Sequence, residues 1–237
     1  VGGAGVIFVF LTSFFLPMSV VPLMLTAIAS VAGVHRSVLY WSSINFNLAK
    51  WLIVGTVIGS AFGVYILSSI ITTGSTAWIE RLLSVVLGAA GLYGLYKKDI
   101  PKFDIKESYF MWGSVISSAV SSIAGVAGPM INVLYQRTRM TPAEILGTKA
   151  FNNFFQQVAK LVAYAMILNK ADIMKTVPPQ YTEMHLVALT GVAIIGAVIG
   201  SQLSKTYIDT INPEKFDKIM NISFVVFGVY FLIKSFF

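Results

Sequence analysis

The residues best suited to chemistry form a polar run inside the sixth hydrophobic segment of the chain. Four of them are spaced by four, three and four residues: Lys149, Asn153, Gln156 and Lys160. This spacing places them on one face of a helix, with Asn152 beside them. Such a face can bind a small oxyanion through charge-assisted hydrogen bonds. Alternatively, both lysines lie near the ends of a tilted helix and extend to the membrane surface, while the amides join neighbouring helices.

A second group of candidates lies before this run, where serines lead into a glycine-rich sequence. The serines are Ser114, Ser117, Ser118, Ser121 and Ser122, and Ala124-Gly125-Val126-Ala127-Gly128-Pro129 follows them. A helix interrupted within a membrane must place its free N–H and C=O groups in protein or against a cavity, and half-helix N-termini attract anions. The alternative is a packing face whose serines bond to their own helix. Gly2-Gly3-Ala4-Gly5 repeats the break 123 residues earlier, which favours the functional interpretation.

The composition indicates which elements must position these residues. The 237-residue chain is 56% hydrophobic and 11% charged, whereas soluble domains carry roughly 25% charged residues. Short charged stretches separate eight hydrophobic segments, most of them long enough to span ~30 Å of hydrocarbon. The segments are 1–15, 19–41, 48–71, 78–96, 109–135, 142–168, 184–203 and 216–236. We therefore predict an all-α polytopic membrane protein.

Internal similarity divides the chain into two homologous halves. The charged stretch 97–108 reads as a linker between a first repeat, 1–96, and a second repeat, 109–237. An offset of 137 residues pairs Gly59 with Gly196, Gly63 with Gly200, Glu80 with Asp217, Arg81 with Lys218, Gly91 with Gly228 and Tyr93 with Tyr230. The first half has no counterpart of 109–124, so we expect the natural sequence to continue upstream of Val1.

The placement of charge favours an inverted arrangement of these halves. If the segment 109–135 turns back at its glycine-rich break, eleven Lys and Arg lie on the linker side and four on the other. If the segment crosses the membrane, the division is nine against six. The positive-inside rule favours the first case, with the linker in the cytoplasm. Each half then contains a glycine-broken or re-entrant segment and three transmembrane helices, in the plasma or inner membrane.

Other classes of function have no support in the sequence. The chain has no cysteine, no Walker motif, no nucleophile elbow and no dinucleotide fingerprint. His35 and His185 lie near helix ends without a carboxylate cluster, and Glu144 suits a helix-dipole role in a first turn. The net charge of +7 is explained by orientation in the bilayer instead of nucleic-acid binding. We therefore predict no enzymatic activity, no metal, no cofactor and no nucleic-acid partner.

The residues described so far resemble the sulfite exporter TauE/SafE family of membrane permeases, in which each half has a glycine-rich break followed by a helix with a Gly-Thr motif. The second half carries the resemblance in Gly125-Val126-Ala127-Gly128-Pro129, Met140-Thr141-Pro142-Ala143-Glu144 and Gly147-Thr148-Lys149 with Asn152 and Asn153, and then in Gly196, Gly200 and Gly228. The first half matches at 2–5 and 48–96, but 22–30 lacks the Gly-Thr-Lys pattern and offers only Thr26 and Ser30.

The resemblance implies secondary transport, usually export, of a small sulfur-containing or organic anion such as sulfite, sulfoacetate or another sulfonate. We expect alternating access around a site formed by the two breaks and the sixth segment. The predicted substrate-binding residues are Gly3, Gly5, Thr26, Ser30, Ser121, Gly125, Ala127, Gly128, Pro129, Asn132, Thr148, Lys149, Asn152, Asn153 and Gln156. A passive anion channel is the alternative, followed by a membrane enzyme or assembly factor. The sequence leaves open the anion, the direction of transport, protons as coupling ion and assembly into a homo-oligomer.

Overall fold

The computed structural model describes residues 3–74, 77–96, 106–126, 130–131, 134–135, 138–207 and 213–236. Nine α-helices and one short 3-10 helix (Trp41–Ser43) have their bounds within these ranges, in which no residue forms a β-strand. The α-helices are α1 (Gly3–Thr12), α2 (Val21–Leu39), α3 (Phe46–Thr73), α4 (Ala77–Tyr96), α5 (Glu107–Ala124), α6 (Pro142–Ile167), α7 (Lys170–Thr176), α8 (Glu183–Tyr207) and α9 (Pro213–Lys234).

The helices follow the predicted hydrophobic segments, and the predicted all-helical fold is confirmed. Three described helices are long and apolar enough to cross a membrane: α3, α4 and residues 183–200 of α8. The short helix α7 was not predicted because its seven residues are mostly polar. Asn169 begins this helix by accepting a hydrogen bond from the Ala171 N–H at 3.0 Å.

Local signals determine where the helices around the polar run begin and end. A capping box opens α6: the Thr141 hydroxyl accepts from the Glu144 N–H at 3.3 Å, and the Glu144 carboxylate accepts from the Thr141 N–H at 2.8 Å. The serine-rich helix α5 ends at Gly125, whose φ of 82° lies in the left-handed region that glycine adopts without a Cβ clash. The described helix therefore stops at the predicted break.

Three glycines allow α3 to approach α5 closely. A methyl group at these positions would overlap a backbone carbonyl oxygen of α5: Gly55 faces Met111, Gly59 faces Val115 and Gly63 faces Ala119. The residue numbers rise together along the two helices, so α3 and α5 run parallel. These glycines serve to pack the two helices together, because only a residue without Cβ permits this backbone contact.

Helices α4 and α9, which the offset of 137 residues relates, pack against each other in antiparallel orientation. The Glu80 carboxylate near the start of α4 lies 3.1 Å from the Lys234 ammonium near the end of α9. Further along, a methyl group at Gly91 would lie 2.7 Å from the Asn221 carbonyl oxygen. Residue numbers therefore rise along one helix while they fall along the other.

Helices α2 and α6 also run antiparallel. The Ser37 hydroxyl donates to the Ala150 carbonyl oxygen at 3.1 Å, whereas Thr26, three turns earlier on α2, lies beside Tyr164 of α6. Between these contacts, Gly33 packs against the Phe154 backbone, where an added methyl group would lie 3.6 Å from the Cα atom. α6 therefore lies between α2 on one side and α3 on the other.

The apolar core includes helix α1. Val6 and Val9 of α1 are fully buried in the same cluster as Val21, Ile123 and Phe231. In contrast, no residue in the long apolar part of α8, 183–200, is buried within the described structure. The first glycine-rich sequence therefore leads into the interior, while α8 presents apolar surface outward.

Candidate functional site

A row of four α6 side chains faces α5 and α3 in the interior of the bundle. The row has a strict spacing of four residues and consists of Asn152, Gln156, Lys160 and Tyr164. All four form hydrogen bonds to residues on α3 or α5. We call these four residues, with their partners on α3 and α5, the polar ladder. Its length is about 18 Å, since each α-helical residue rises about 1.5 Å.

The first part of the ladder is a chain of hydrogen bonds with one direction. The Gln156 amide donates to Ser118 at 2.9 Å, Ser118 donates to Thr56 at 3.3 Å, and Thr56 donates to the Asn152 side-chain oxygen at 2.9 Å. Ser114 lies 2.7 Å from the Thr56 hydroxyl and donates to a backbone carbonyl of α3 at 2.8 Å. Because these hydroxyls are buried, the network fixes α3, α5 and α6 relative to one another.

Lys160 is the basic member of the ladder and is only 1% exposed. Its Nζ atom lies 3.3 Å from the Ser121 hydroxyl, while the Tyr164 hydroxyl one turn later donates to the Ser122 carbonyl oxygen at 2.7 Å. None of the ion pairs found among the described residues includes Lys160. The amine of Lys160 is therefore held in the interior, where its one hydrogen bond among the described residues goes to the Ser121 hydroxyl.

The two glycine-rich breaks meet next to this part of the ladder. A methyl group at Gly5 would lie 3.2 Å from the Val126 side chain, and one at Gly125 would lie 3.4 Å from the Pro22 Cα atom. The Gly125 N–H donates to the Ser121 carbonyl oxygen at 2.9 Å. Ser121, which contacts Lys160, is thus one helical turn, about 6 Å along the axis, from the second break.

The structure brings several predicted site residues together. Ser121, Asn152 and Gln156 belong to the polar ladder, and Gly5 and Gly125 lie at the meeting point of the breaks. Gly3 begins α1. The buried Thr26 donates to the Pro22 carbonyl oxygen at 2.7 Å and lies beside the Tyr164 hydroxyl at the end of the ladder.

Other predicted site residues have local partners. The buried Thr148 hydroxyl accepts from the Asn45 N–H at 2.9 Å and so stabilises the start of α3. Ser30 donates to a carbonyl oxygen of its own helix at 2.8 Å. Asn153 faces α2 and accepts from Gln157 at 3.1 Å. Lys149 is half-buried on α6. Four predicted residues lie outside the described part of the chain: Ala127, Gly128, Pro129 and Asn132.

The sequence as a whole matches a known family. The sequence model of the sulfite exporter TauE/SafE family aligns with residues 1–231. The chain belongs to the TauE/SafE family. Comparisons with curated proteins and with solved structures give no match. Membership indicates a membrane permease for a small anion, and the resemblance noted in the sequence is confirmed.

Six members of the ladder in this TauE/SafE protein were not among the predicted binding residues: Thr56, Ser114, Ser118, Ser122, Lys160 and Tyr164. The signal that could have identified Tyr164 is the four-residue spacing from Asn152, which continues the row one turn beyond Lys160. Because α6 extends to Ile167, Lys160 lies about two turns from its end, which does not favour extension to the membrane surface.

The chemistry available in this TauE/SafE protein is that of a binding site. One lysine amine, several hydroxyls and two amides converge, and these are groups that donate hydrogen bonds to an oxyanion. In the described part of the chain, no three His, Asp or Glu residues come together as metal ligands. Two surface cavities lie elsewhere, one between Gly74 and Lys175 and the other between Tyr181 and Val192. Asn152, Lys160 and Tyr164 of the ladder are buried, whereas Gln156 is partly exposed.

Proposed function

We propose that this TauE/SafE protein is a secondary transporter that exports sulfite, sulfoacetate, other sulfonates or related small organic anions by alternating access. The observation that carries the proposal is the buried Lys160 in a row of hydroxyls and amides beside two meeting breaks. A fully buried lysine within a membrane bundle is costly, so it indicates a functional requirement. The site lies in the plasma or inner membrane in a multi-pass chain.

The substrate site in this proposal comprises the two breaks and the inner faces of α6. Lys149 and Lys160 supply positive charge, while Asn152, Asn153 and Gln156 donate amide hydrogen bonds. Thr26, Ser30, Ser121 and Thr148 supply hydroxyls, and Gly3, Gly5, Gly125, Ala127, Gly128, Pro129 and Asn132 supply closely approachable backbone and amide groups. Release of the hydroxyls from their present partners accompanies substrate binding.

The two halves in this proposal are inverted copies that move against each other. Two pairs of corresponding helices, α4 with α9 and α2 with α6, pack in antiparallel orientation, which supports the proposal. If such helices cross the membrane, antiparallel packing of related helices gives the halves opposite topology. In the second half, α8 corresponds to α3 and α6 corresponds to α2. The contact between α3 and α6 therefore has a counterpart in the contact between α8 and α2. Alternating access then closes one side of the site while it opens the other.

Transport by the purified protein in liposomes tests the proposal. We expect saturable flux of isotopically labelled sulfite or a sulfonate, and we expect Lys149→Ala to reduce it at least tenfold in a protein that remains folded. Lys50→Ala, at an exposed lysine of α3, is the matched control and should transport normally. Unchanged flux in Lys149→Ala would remove Lys149 from the site. Absence of flux for every anion of a panel, or single-channel currents in planar bilayers, would contradict the proposed function.

A further inference from the structure

We infer that Lys160 and the substrate anion form a pair whose binding includes one proton, so that each transported anion moves together with a proton carried on the Lys160 amine. The inference rests on the proposed function and deepens it. It assigns to Lys160 the role of counter-charge, and it identifies the coupling ion. Its basis is the electrostatic surroundings of Lys160 in the polar ladder.

The helices around Lys160 supply no negative charge to it. α1, α2 and α3 contain no acidic residue. The acidic residue of α5 is Glu107 in its first turn, and that of α6 is Glu144, about four turns before Lys160. The chain between Gly125 and α6, residues 126–141, also contains no Asp or Glu.

The other titratable groups on these helices do not replace a carboxylate. Tyr164, one turn along α6, already donates its proton to the Ser122 carbonyl oxygen. Lys149 on α6 and Lys50 on α3 carry the same sign of charge as a protonated Lys160. α2 has His35 and Arg36 only near its C-terminal end, at the opposite end of the helix from Thr26, the residue that lies beside Tyr164. Among the described residues, a protonated Lys160 amine thus has the Ser121 hydroxyl as its hydrogen-bond partner and no carboxylate beside it.

A buried ammonium ion without a counter-anion has a large free-energy cost, which the substrate anion can remove. The amine binds a proton and becomes an ammonium group, and that group forms an ion pair with the anion. On release, the anion leaves and the proton dissociates from the amine, which restores the starting state. One proton and one anion move in each cycle, with no other reactant.

The contact between α5 and α6 allows an anion to reach this position. Long side chains of the ladder join these two helices, whereas α5 and α3 are joined by close backbone contact through glycines. Separation of α5 from α6 therefore breaks three side-chain hydrogen bonds and exposes Ser118, Ser121 and Lys160 together. Their hydroxyl and ammonium groups then bind the oxygens of the anion.

The linkage makes two quantitative predictions for the wild-type protein. The binding of the anion and of the proton are thermodynamically linked. At pH values where the Lys160 amine of the anion-free protein has no proton, the apparent affinity for the anion should therefore fall about tenfold per pH unit. The charge moved depends on substrate valence. Methanesulfonate, a monoanion, should cross without net charge, whereas sulfoacetate, a dianion at neutral pH, should carry one negative charge per cycle.

The experiment records proton flux with an internal pH-sensitive dye and anion flux with labelled methanesulfonate and sulfoacetate in proteoliposomes. The wild type should move one proton with each anion of either kind. Lys160→Arg keeps a permanent charge, so any anion flux that it retains should lack the accompanying proton and the pH dependence. Lys160→Met should lose at least tenfold in flux, while Lys50→Met, at an exposed lysine, should behave as the wild type.

The outcomes separate this inference from the proposed function. Anion flux in the wild type without proton movement overturns the inference and leaves the transport function intact. Proton movement that persists at the same ratio in Lys160→Met assigns the coupling to another group and also overturns it. No flux of any tested anion in the wild type would instead contradict the proposed function. The wild-type measurement decides the stoichiometry even if a Lys160 variant does not fold.

Discussion

Replacement of Gly59 by alanine should destabilise the contact between α3 and α5. The added methyl group would overlap the Val115 carbonyl oxygen and lie 2.8 Å from the carbonyl carbon, inside the 3.4 Å at which ordinary van der Waals contact begins. These are backbone atoms, which cannot rotate away as a side chain can. The two helices must therefore move apart, and the 2.7 Å contact between Thr56 and Ser114 next to Gly59 must lengthen.

The expected loss of stability follows from two opposing effects. Overpacking of a close contact costs about 1–3 kcal/mol, and overlap with several backbone atoms favours the upper value. Alanine gains about 1 kcal/mol over glycine in helix propensity. The net loss is then about 2 kcal/mol, which corresponds to a fall in Tm of about 4–8 °C for a chain of this size.

Thermal unfolding in detergent micelles, followed by circular dichroism, measures this effect. Gly88→Ala on α4 is the matched control, because no described atom lies within 4 Å of a methyl group at that position. The control should unfold at the wild-type temperature or slightly above it. If Gly59→Ala unfolds at the same temperature as Gly88→Ala, the close backbone contact between α3 and α5 is not present in the protein.

Further variants test the ends of α6, the ladder and the pair of α4 and α9. Thr141→Ala removes the hydroxyl of the capping box and should cost about 0.5–2 kcal/mol in the same unfolding assay. Gln156→Met removes a hydrogen-bond donor of the polar ladder and should reduce anion flux by a larger fraction than it reduces Tm. A flux equal to that of the wild type would exclude this amide from binding the anion. A double-mutant cycle between Glu80→Gln and Lys234→Met should give a coupling of about 1 kcal/mol or less, since the pair is partly exposed. Lys149→Ala should lower flux and leave the unfolding temperature near that of the wild type.

The fold could be predicted from the sequence to the extent that short-range signals determine it. The apolar segments predict the helices, Thr141 with Glu144 predicts the start of α6, and Gly125 predicts the end of α5. The helix α7 could not be predicted in the same way, because a polar turn of seven residues has no hydrophobic periodicity.

The site could be predicted only in part, because helical spacing defines several overlapping faces. Lys149 and Asn153 share a predicted stripe with Gln156, yet Asn153 lies towards α2, while Gln156 reaches Ser118 on α5. Which face contacts α5 depends on the glycine contact between α3 and α5. That contact joins residues about 56 positions apart, and no local pattern in α6 reveals it.

The antiparallel packing of α4 and α9 bears on the evolutionary origin of a chain with two homologous halves. Each helix offers its partner the same kind of glycine-centred surface, as at Gly91 and Gly228, which is the property of an isologous interface in a twofold homodimer. A single half would therefore be able to associate with a second copy of itself. The linker 97–108 then joins two halves that could bind each other as separate chains. Fusion of two gene copies allows one half to acquire Lys160 while the other does not.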